Sequence, residues 1–192
     1  MDTLNIFPVN IFTFDWGGDL DDILERAILK QKSLGMKPSD VSQSDSNALR
    51  LFPELLDFID DCLSQVKDCN NLQCDGLKVS SSWINRYVRY SVLPWHRHPM
   101  SAFSGTFFLN ASGRLSFKDP ILFRSNESIM PFSDDPKQYD VETKPGRLVI
   151  FPWWLEHGAI NEDSVERWSL SFNSIPYGTI NTNLSSATLE IK

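Results

Sequence analysis

The histidines are the residues whose spacing points most directly to chemistry. The chain has three, and His96 and His98 stand in the string Pro94-Trp-His-Arg-His-Pro99, where a predicted strand ends. In an extended segment, residues i and i+2 point to the same face. The two imidazoles therefore converge, as a metal ion requires, and His157 begins another predicted strand further along the chain. A single histidine is more often structural, but these three together predict a metal site.

Arg167 is the second residue with a defined chemistry. It lies ten positions after His157, on the next predicted strand. Its planar guanidinium can hold a carboxylate through two parallel hydrogen bonds. An arginine that enters a small barrel needs an anionic partner, because an unpaired buried charge is very costly. The alternative is a surface arginine paired with Glu166, and the spacing alone does not separate the two.

Two amphipathic helices are predicted in the first third of the chain. The first follows Asp19, a suitable N-cap, and ends near Gly35. A polar, loop-like segment, 37–47, separates it from the second, which carries Pro53 near the first-turn position. Their apolar residues repeat at helical spacing: Leu20, Ile23, Leu24, Ala27 and Ile28, then Phe52, Leu55, Leu56, Ile59, Leu63 and Val66. We expect both helices to cover one face of a sheet.

From about Leu77 onward the pattern changes to short strands separated by turn residues. The candidates are 79–84, 87–93, 106–109, 115–117, 147–151, 157–160 and 168–172. This many strands without intervening helices predict a β-sandwich or barrel. One long irregular stretch, 124–144, interrupts them and is a candidate lid or linker.

Several short motifs follow one another in a defined order between about Trp83 and Asn173. They are His96-Arg-His98-Pro99, Ser104-Gly105-Thr-Phe-Phe-Leu109, Gly113-Arg-Leu115-Ser-Phe117-Lys-Asp119-Pro120, Pro145-Gly146-Arg-Leu-Val-Ile-Phe151-Pro152, then His157 and Arg167 through Asn173. Their order resembles that of a known family, the 2-oxoglutarate/Fe(II)-dependent oxygenases of bacteria and phages that carry an H-x-H-P motif. These are distant relatives of the prolyl 4-hydroxylases.

The resemblance implies a mainly β fold, a double-stranded β-helix (jelly roll) with N-terminal helices packed on one sheet. It also implies a hydroxylase that uses Fe(II), 2-oxoglutarate and dioxygen and releases succinate and CO2. His96 and His157 match the metal histidines of the family. Arg167, with Ser169, matches the residues that bind the distal carboxylate of 2-oxoglutarate, and Tyr90 stands where related hydroxylases place a tyrosine against this cosubstrate.

His98 departs from the wider superfamily, in which this position is Asp or Glu and completes a triad of two histidines and one carboxylate. We favour His98 as the third iron ligand, which neutral imidazole permits chemically. Alternatively a carboxylate such as Asp119 fills the site with His98 behind it, or the position stays open.

Two other functions compete with the oxygenase. The first is a cupin-type metalloenzyme with three histidine ligands, favoured by His-x-His and by His157-Gly-Ala-Ile-Asn161. The glutamate expected shortly after His98 is missing, and a cupin would not need Arg167. The second is a non-catalytic jelly-roll binding module with a decayed site.

Length and composition limit the remaining possibilities. A chain of 192 residues predicts one domain, divided into a helical support (1–75), a jelly-roll core (76–175) and a C-terminal extension (176–192). The net charge of −7 disfavours duplex nucleic acid and anionic membranes as partners. The three cysteines match no zinc motif and indicate reduced structural thiols. With no recognisable signal peptide we expect a cytoplasmic enzyme. The prime substrate and the oligomeric state are left open.

Overall fold

The fold consists of two antiparallel sheets that face each other, with two α-helices outside one of them. The computed structural model describes residues 8–33, 41–44, 47–120, 138–161, 165–181 and 188–192. Strands account for 46% of these described residues. The elements are β1 (Phe12–Asp15), α1 (Leu20–Ser33), β2 (Val41–Gln43), a 3-10 turn (Ala48–Leu51), α2 (Pro53–Cys69), β3 (Gly76–Tyr87), β4 (Val92–His96), β5 (Phe103–Phe108), β6 (Gly113–Lys118), β7 (Gln138–Thr143), β8 (Arg147–Pro152), β9 (His157–Ile160), β10 (Arg167–Ile180) and β11 (Leu189–Ile191).

The strand order confirms the predicted jelly roll. The major sheet has the order β1-β8-β5-β10-β3-β2, with β11 paired to β10, and the minor sheet has the order β4-β9-β6-β7. Strands that are neighbours in space are far apart in sequence, as in β10, which lies between β5 and β3. This wrapping brings residues from distant segments to one interior.

The side chains of β10 alternate between the two faces of the major sheet, so every second residue lies in the interior between the sheets. Leu170 and Phe172 point outward and pack with apolar residues of α1 and α2 in one core cluster. Arg167, Ser169 and Ser171, the intervening residues, therefore point inward toward the minor sheet. A second apolar cluster lies between the two sheets and is formed by Phe108, Leu115, Phe117, Val149, Phe151, Leu155 and Ala159. The prediction that the helices cover one sheet face is confirmed.

The N-terminal cap of α1 follows the sequence prediction. The Asp19 carboxylate accepts hydrogen bonds from the backbone N–H groups of Asp21 and Asp22, both at 3.1 Å. The predicted stop at Gly35 lies outside the described residues. No helix in the described ranges is long and apolar enough to cross a membrane.

Several predicted boundaries were wrong. The break between the first two candidate strands does not exist, because β3 runs continuously from Gly76 to Tyr87. The irregular stretch 124–144 contains β7, which pairs along its whole length with β6; the rest of that stretch, 121–137, lies outside the described residues. The loop-like segment 37–47 contains β2, which pairs with the end of β3.

The division into support, core and extension stays a prediction, but two strands cross its boundaries. β1 lies in the nominal helical support, yet it pairs with β8 in the major sheet. β10 continues through residue 175 to Ile180 and there pairs with β11. Both ends of the chain therefore contribute to the sheet that carries the interior residues.

Candidate functional site

The structure brings all three histidines together. His96 on β4 and His157 on β9 are register partners across neighbouring strands. An irregularity in β4 between Leu93 and His96 shifts the register just before the motif. His98 follows on the turn beyond β4, and one ring nitrogen from each histidine lies within 4.8 Å of the others. We call this cluster, His96, His98 and His157, the histidine end of the interior.

Two of the histidines are oriented by the backbone. Nδ1 of His96 lies 2.8 Å from the carbonyl oxygen of Pro94, and Nδ1 of His157 lies 3.0 Å from that of Leu155. A carbonyl only accepts, so each Nδ1 carries the proton and each Nε2 keeps its lone pair. Outer hydrogen bonds of this kind are what hold metal-binding histidines in the correct tautomer.

The surroundings of His98 and His157 favour their neutral rings. Burial lowers the pKa of His157 to about 3, with a further contribution from His96. Burial and the same neighbour lower the pKa of His98 to about 4. Because metal binding needs the unprotonated imidazole, both rings are in the ligating form at neutral pH.

The distances between the rings fit a bound metal ion. Nε2 of His98 and Nε2 of His157 are 3.2 Å apart. Two nitrogens at ~2.1 Å from one metal and at a right angle to each other would be ~3.0 Å apart. Asp119 is not part of the cluster: it lines a neighbouring cavity of about 800 Å³, together with Phe117 and Leu155. The described residues therefore fit a metal held by three imidazoles.

Arg167 lies at the opposite end of the same interior and is 1% exposed. Its Nη1 donates to the carbonyl oxygens of Arg114 and Ile160, both at 3.4 Å, and its Nη2 donates to Oγ1 of Thr143 at 3.2 Å. All three acceptors are neutral. The buried Nε has no hydrogen-bond partner. Within the described part of the chain, this guanidinium thus has no carboxylate to neutralise it.

The surface ion pair considered from the sequence does not form. Glu166 pairs instead with Arg86, through Nε at 3.1 Å and through Nη2. This leaves Arg167 as a buried cation whose pKa is lowered by burial. A cation in such a position needs an anion from outside the described chain.

The space around Arg167 is shaped for the guanidinium. It lies 4.7 Å from the ring centre of Phe108 and 5.9 Å from that of Tyr87. A Cβ atom at Gly113 would come within 2.9 Å of Nη1, so the glycine makes room for the side chain. We call Arg167 with Thr143 and Gly113 the arginine end.

Polar side chains connect the two ends along β10 and β3. Ser169 is fully buried and accepts a hydrogen bond from Asn85 Nδ2 at 3.3 Å, and the same amide donates to Ser171 at 2.9 Å. Opposite Ser171 stands Trp83, whose ring contacts that of His98. Since Ile160, which accepts from Arg167, is three residues beyond His157 on β9, the two ends are roughly 10 Å apart along the strand.

The structure does not bring Tyr90 to this interior. Tyr90 has a positive φ of 59°, is 63% exposed, and its hydroxyl accepts a hydrogen bond from Arg89 at 2.6 Å. Tyr87 is the tyrosine that lies beside Arg167 instead: it is the register partner of Arg167, and its ring centre is 5.9 Å from the guanidinium carbon. Burial raises the pKa of Tyr87 to about 12, so it remains protonated. The alternation of Trp83, Asn85 and Tyr87 was the signal that could have found it.

A comparison with known protein families gives one match. Residues 81–173, just under half of the chain, match the sequence model of the family described as "Putative 2OG-Fe(II) oxygenase", that is, of 2-oxoglutarate/Fe(II) oxygenases. The family resemblance is confirmed. The matched segment contains both the histidine end and Arg167.

Three solved structures share the fold at low sequence identity. HygX from Streptomyces hygroscopicus, solved with nickel and 2-oxoglutarate bound, aligns with a TM-score of 0.61 and 13% identity over 96% of this chain and 91% of its own. A Pseudomonas putida prolyl-4-hydroxylase aligns with a TM-score of 0.61 and 14% identity over 88% and 94%. The epimerase SnoN from nogalamycin biosynthesis aligns with a TM-score of 0.60 and 11% identity, over 93% of this chain and 84% of its own. Among curated proteins, no sequence matches this chain at a significant level.

Proposed function

We propose that this protein is an Fe(II)- and 2-oxoglutarate-dependent dioxygenase that hydroxylates an unidentified substrate and releases succinate and CO2. One observation carries the proposal: a cluster of three ligating imidazoles and a buried, unneutralised arginine lie at the two ends of one polar interior. The family match to 2-oxoglutarate/Fe(II) oxygenases supports the same assignment.

The histidine end would hold the iron. His96 and His157 present Nε2 because their Nδ1 atoms are fixed by backbone carbonyls, and His98 presents Nε2 toward the same point. Three facial protein ligands leave the other coordination positions for exchangeable groups. When bound, Fe(II) supplies the oxidation of 2-oxoglutarate and prime substrate by dioxygen.

The arginine end would bind the distal carboxylate of 2-oxoglutarate. The free Nε–H and the adjacent Nη2 form one edge of the guanidinium, which can donate two parallel hydrogen bonds to a carboxylate. Thr143 accepts from Nη2, so its own hydroxyl proton remains available for the same anion. Tyr87 and Ser169 border the site and can help to orient the cosubstrate.

The cupin alternative accounts for the histidines but not for Arg167. A three-histidine enzyme without 2-oxoglutarate would have no use for a buried cation that lacks an anionic partner among the described residues. The non-catalytic binding module does not account for imidazoles oriented at ligating distances.

The test is an anaerobic titration of the protein with Fe(II) and then 2-oxoglutarate, followed by succinate detection after oxygen is admitted. We expect a visible charge-transfer band that needs both additions and is lost in Arg167→Ala. Arg86→Ala is the matched control, because Arg86 is the arginine that already has Glu166. Metal binding without any effect of 2-oxoglutarate would favour the cupin, and failure to bind Fe(II) would leave the binding module.

The same proposal covers the remaining expectations. The chain acts as a single domain on a small-molecule cosubstrate and dioxygen. Its three free cysteines, Cys62, Cys69 and Cys74, are consistent with a reducing compartment such as the cytoplasm.

A further inference from the structure

The three histidines are not anchored in the same way. The rings of His96 and His157 each have an Nδ1 contact to a backbone carbonyl. For His98, the one polar ring contact in the described part of the chain is the 3.2 Å approach to Nε2 of His157. The two Nε2 atoms of this contact are the ones that would share the metal, so metal binding would replace the contact, and no backbone group holds the His98 ring.

Aromatic packing restrains the His98 ring instead. The Trp83 indole lies 5.6 Å from it, centre to centre, at an interplanar angle of 31°. Phe151 lies 6.4 Å away at 49°. Trp83 is itself fixed within β3, directly opposite Ser171 of β10. The indole therefore forms a rigid surface against which the imidazole lies.

Trp83 differs from Phe151 in how it contacts the cluster. The Phe151 ring contacts His157 as well, at 4.4 Å, whereas the Trp83 ring contacts His98 alone among the three histidines. A change at Phe151 would disturb two ligands, and a change at Trp83 would disturb one.

We propose that Trp83 is a positioning residue for His98, taking the part that a backbone carbonyl takes for the other two histidines. The inference rests on the proposed metal site. Without the indole, the His98 ring is free to leave the ligating rotamer, and each metal-binding event must first restrict it. His98 is then the ligand whose contribution depends on its neighbour.

The experiment is a double-mutant cycle on metal affinity, with no cosubstrate present. Co(II) is titrated anaerobically into the wild type, Trp83→Leu, His98→Ala and the double variant, and its visible spectrum is recorded. We expect Trp83→Leu to weaken Co(II) binding about 10-fold, the scale for losing a group that orients a ligand. Trp83→Phe should restore most of the affinity, because a ring surface is retained.

The decisive arm is the His98→Ala background. There Trp83→Leu should have no further effect, and the Co(II) spectrum of Trp83→Leu alone should move toward that of His98→Ala. Trp95→Leu is the matched control, since Trp95 precedes His96 but packs on Gly158 and Lys118.

Other outcomes would overturn the inference in distinguishable ways. Equal losses in both backgrounds, with a lowered Tm, would make Trp83 a packing residue only. Normal Co(II) affinity in Trp83→Leu would refute the positioning role and leave the proposed function standing. A wild type that binds neither Co(II) nor Fe(II) would overturn both.

Discussion

The histidine end and the arginine end of the interior are prepared in opposite ways. At the histidine end, backbone carbonyls orient His96 and His157, and burial favours the neutral rings of His98 and His157. At the arginine end, a charged group is buried with neutral acceptors only and one N–H unused. The first end is complete as a receptor for a cation, and the second is incomplete without an anion.

The difference between the two ends indicates that the arginine end lowers the stability of the ligand-free fold. Neutral imidazoles cost little in a low-dielectric interior, whereas an unpaired guanidinium costs much. The free energy lost at Arg167 should be recovered when a dicarboxylate binds.

Removing a backbone-anchored histidine should abolish the receptor for the cation. His157→Ala is expected to weaken Fe(II) binding by more than about 100-fold, beyond the usual cost of losing an outer partner. Anaerobic titration with Fe(II) measures this, and His98→Ala should lose less. An unchanged affinity in His157→Ala would place the metal elsewhere.

Replacing the buried cation by an apolar side chain should separate stability from binding. Arg167→Met is expected to lower 2-oxoglutarate affinity by about 2–5 kcal/mol, roughly 30- to several thousand-fold. The same change should stabilise the ligand-free protein by about 1–2 kcal/mol, or roughly 2–8 °C in Tm. Calorimetric titration and thermal unfolding test the two parts. A large fall in Tm would identify Arg167 as a structural residue instead.

Substitutions of buried Tyr87 and exposed Tyr90 test whether only the interior tyrosine contributes to 2-oxoglutarate binding. Tyr87→Phe removes the hydroxyl of a buried tyrosine whose ring lies 5.9 Å from the Arg167 guanidinium. We expect a loss of about 0.5–1.5 kcal/mol in 2-oxoglutarate binding, or roughly 2- to 12-fold. Tyr90→Phe is the matched control and should change nothing, because Tyr90 is exposed. Equal effects of the two changes would contradict the assignment.

Asp15 lies on β1, an edge strand of the major sheet, and tests the stability of the fold. Its carboxylate pairs with Arg147 at 2.9 Å and Lys144 at 2.8 Å, which lowers its pKa from 3.8 to about 2. The stabilisation is therefore present above about pH 4 and is lost as the pH falls toward 2. Because the pair is half-exposed, Asp15→Asn should cost less than about 1 kcal/mol at pH 7.

Urea unfolding of Asp15→Asn and wild type at pH 7 and pH 3 checks this linkage. The difference in free energy of unfolding should shrink at pH 3, and Fe(II) and 2-oxoglutarate affinities should be unchanged. A difference that is the same at both pH values would rule out the ion pair as its cause.

The sequence was sufficient for residues whose positions depend on local geometry. His96 and His98 share a face because they are two residues apart in an extended segment. Asp19 caps α1 because its carboxylate accepts from a backbone N–H in the first turn of the helix that follows it. The order of the motifs predicts the jelly roll through the family resemblance.

What the sequence did not predict depends on long-range pairing. In β7, Tyr139, Val141 and Thr143 alternate with polar residues, but of these only Thr143 is buried, and the strand is held by its pairing with β6 along Gln138–Thr143. Long-range pairing also explains why Tyr87, and not the predicted Tyr90, lies beside Arg167. The predicted strand break fell before Tyr87, whereas pairing with β10 extends β3 through it.

The proposed function depends most directly on whether 2-oxoglutarate is consumed at this site. The measurement is succinate formed per dioxygen consumed by the Fe(II)-loaded protein, in wild type, His157→Ala, Arg167→Met and Arg86→Ala. We predict slow turnover in the wild type and in Arg86→Ala, and none in the other two. Fe(II)-loaded wild type that neither binds 2-oxoglutarate nor forms succinate, or turnover that survives Arg167→Met, would contradict it.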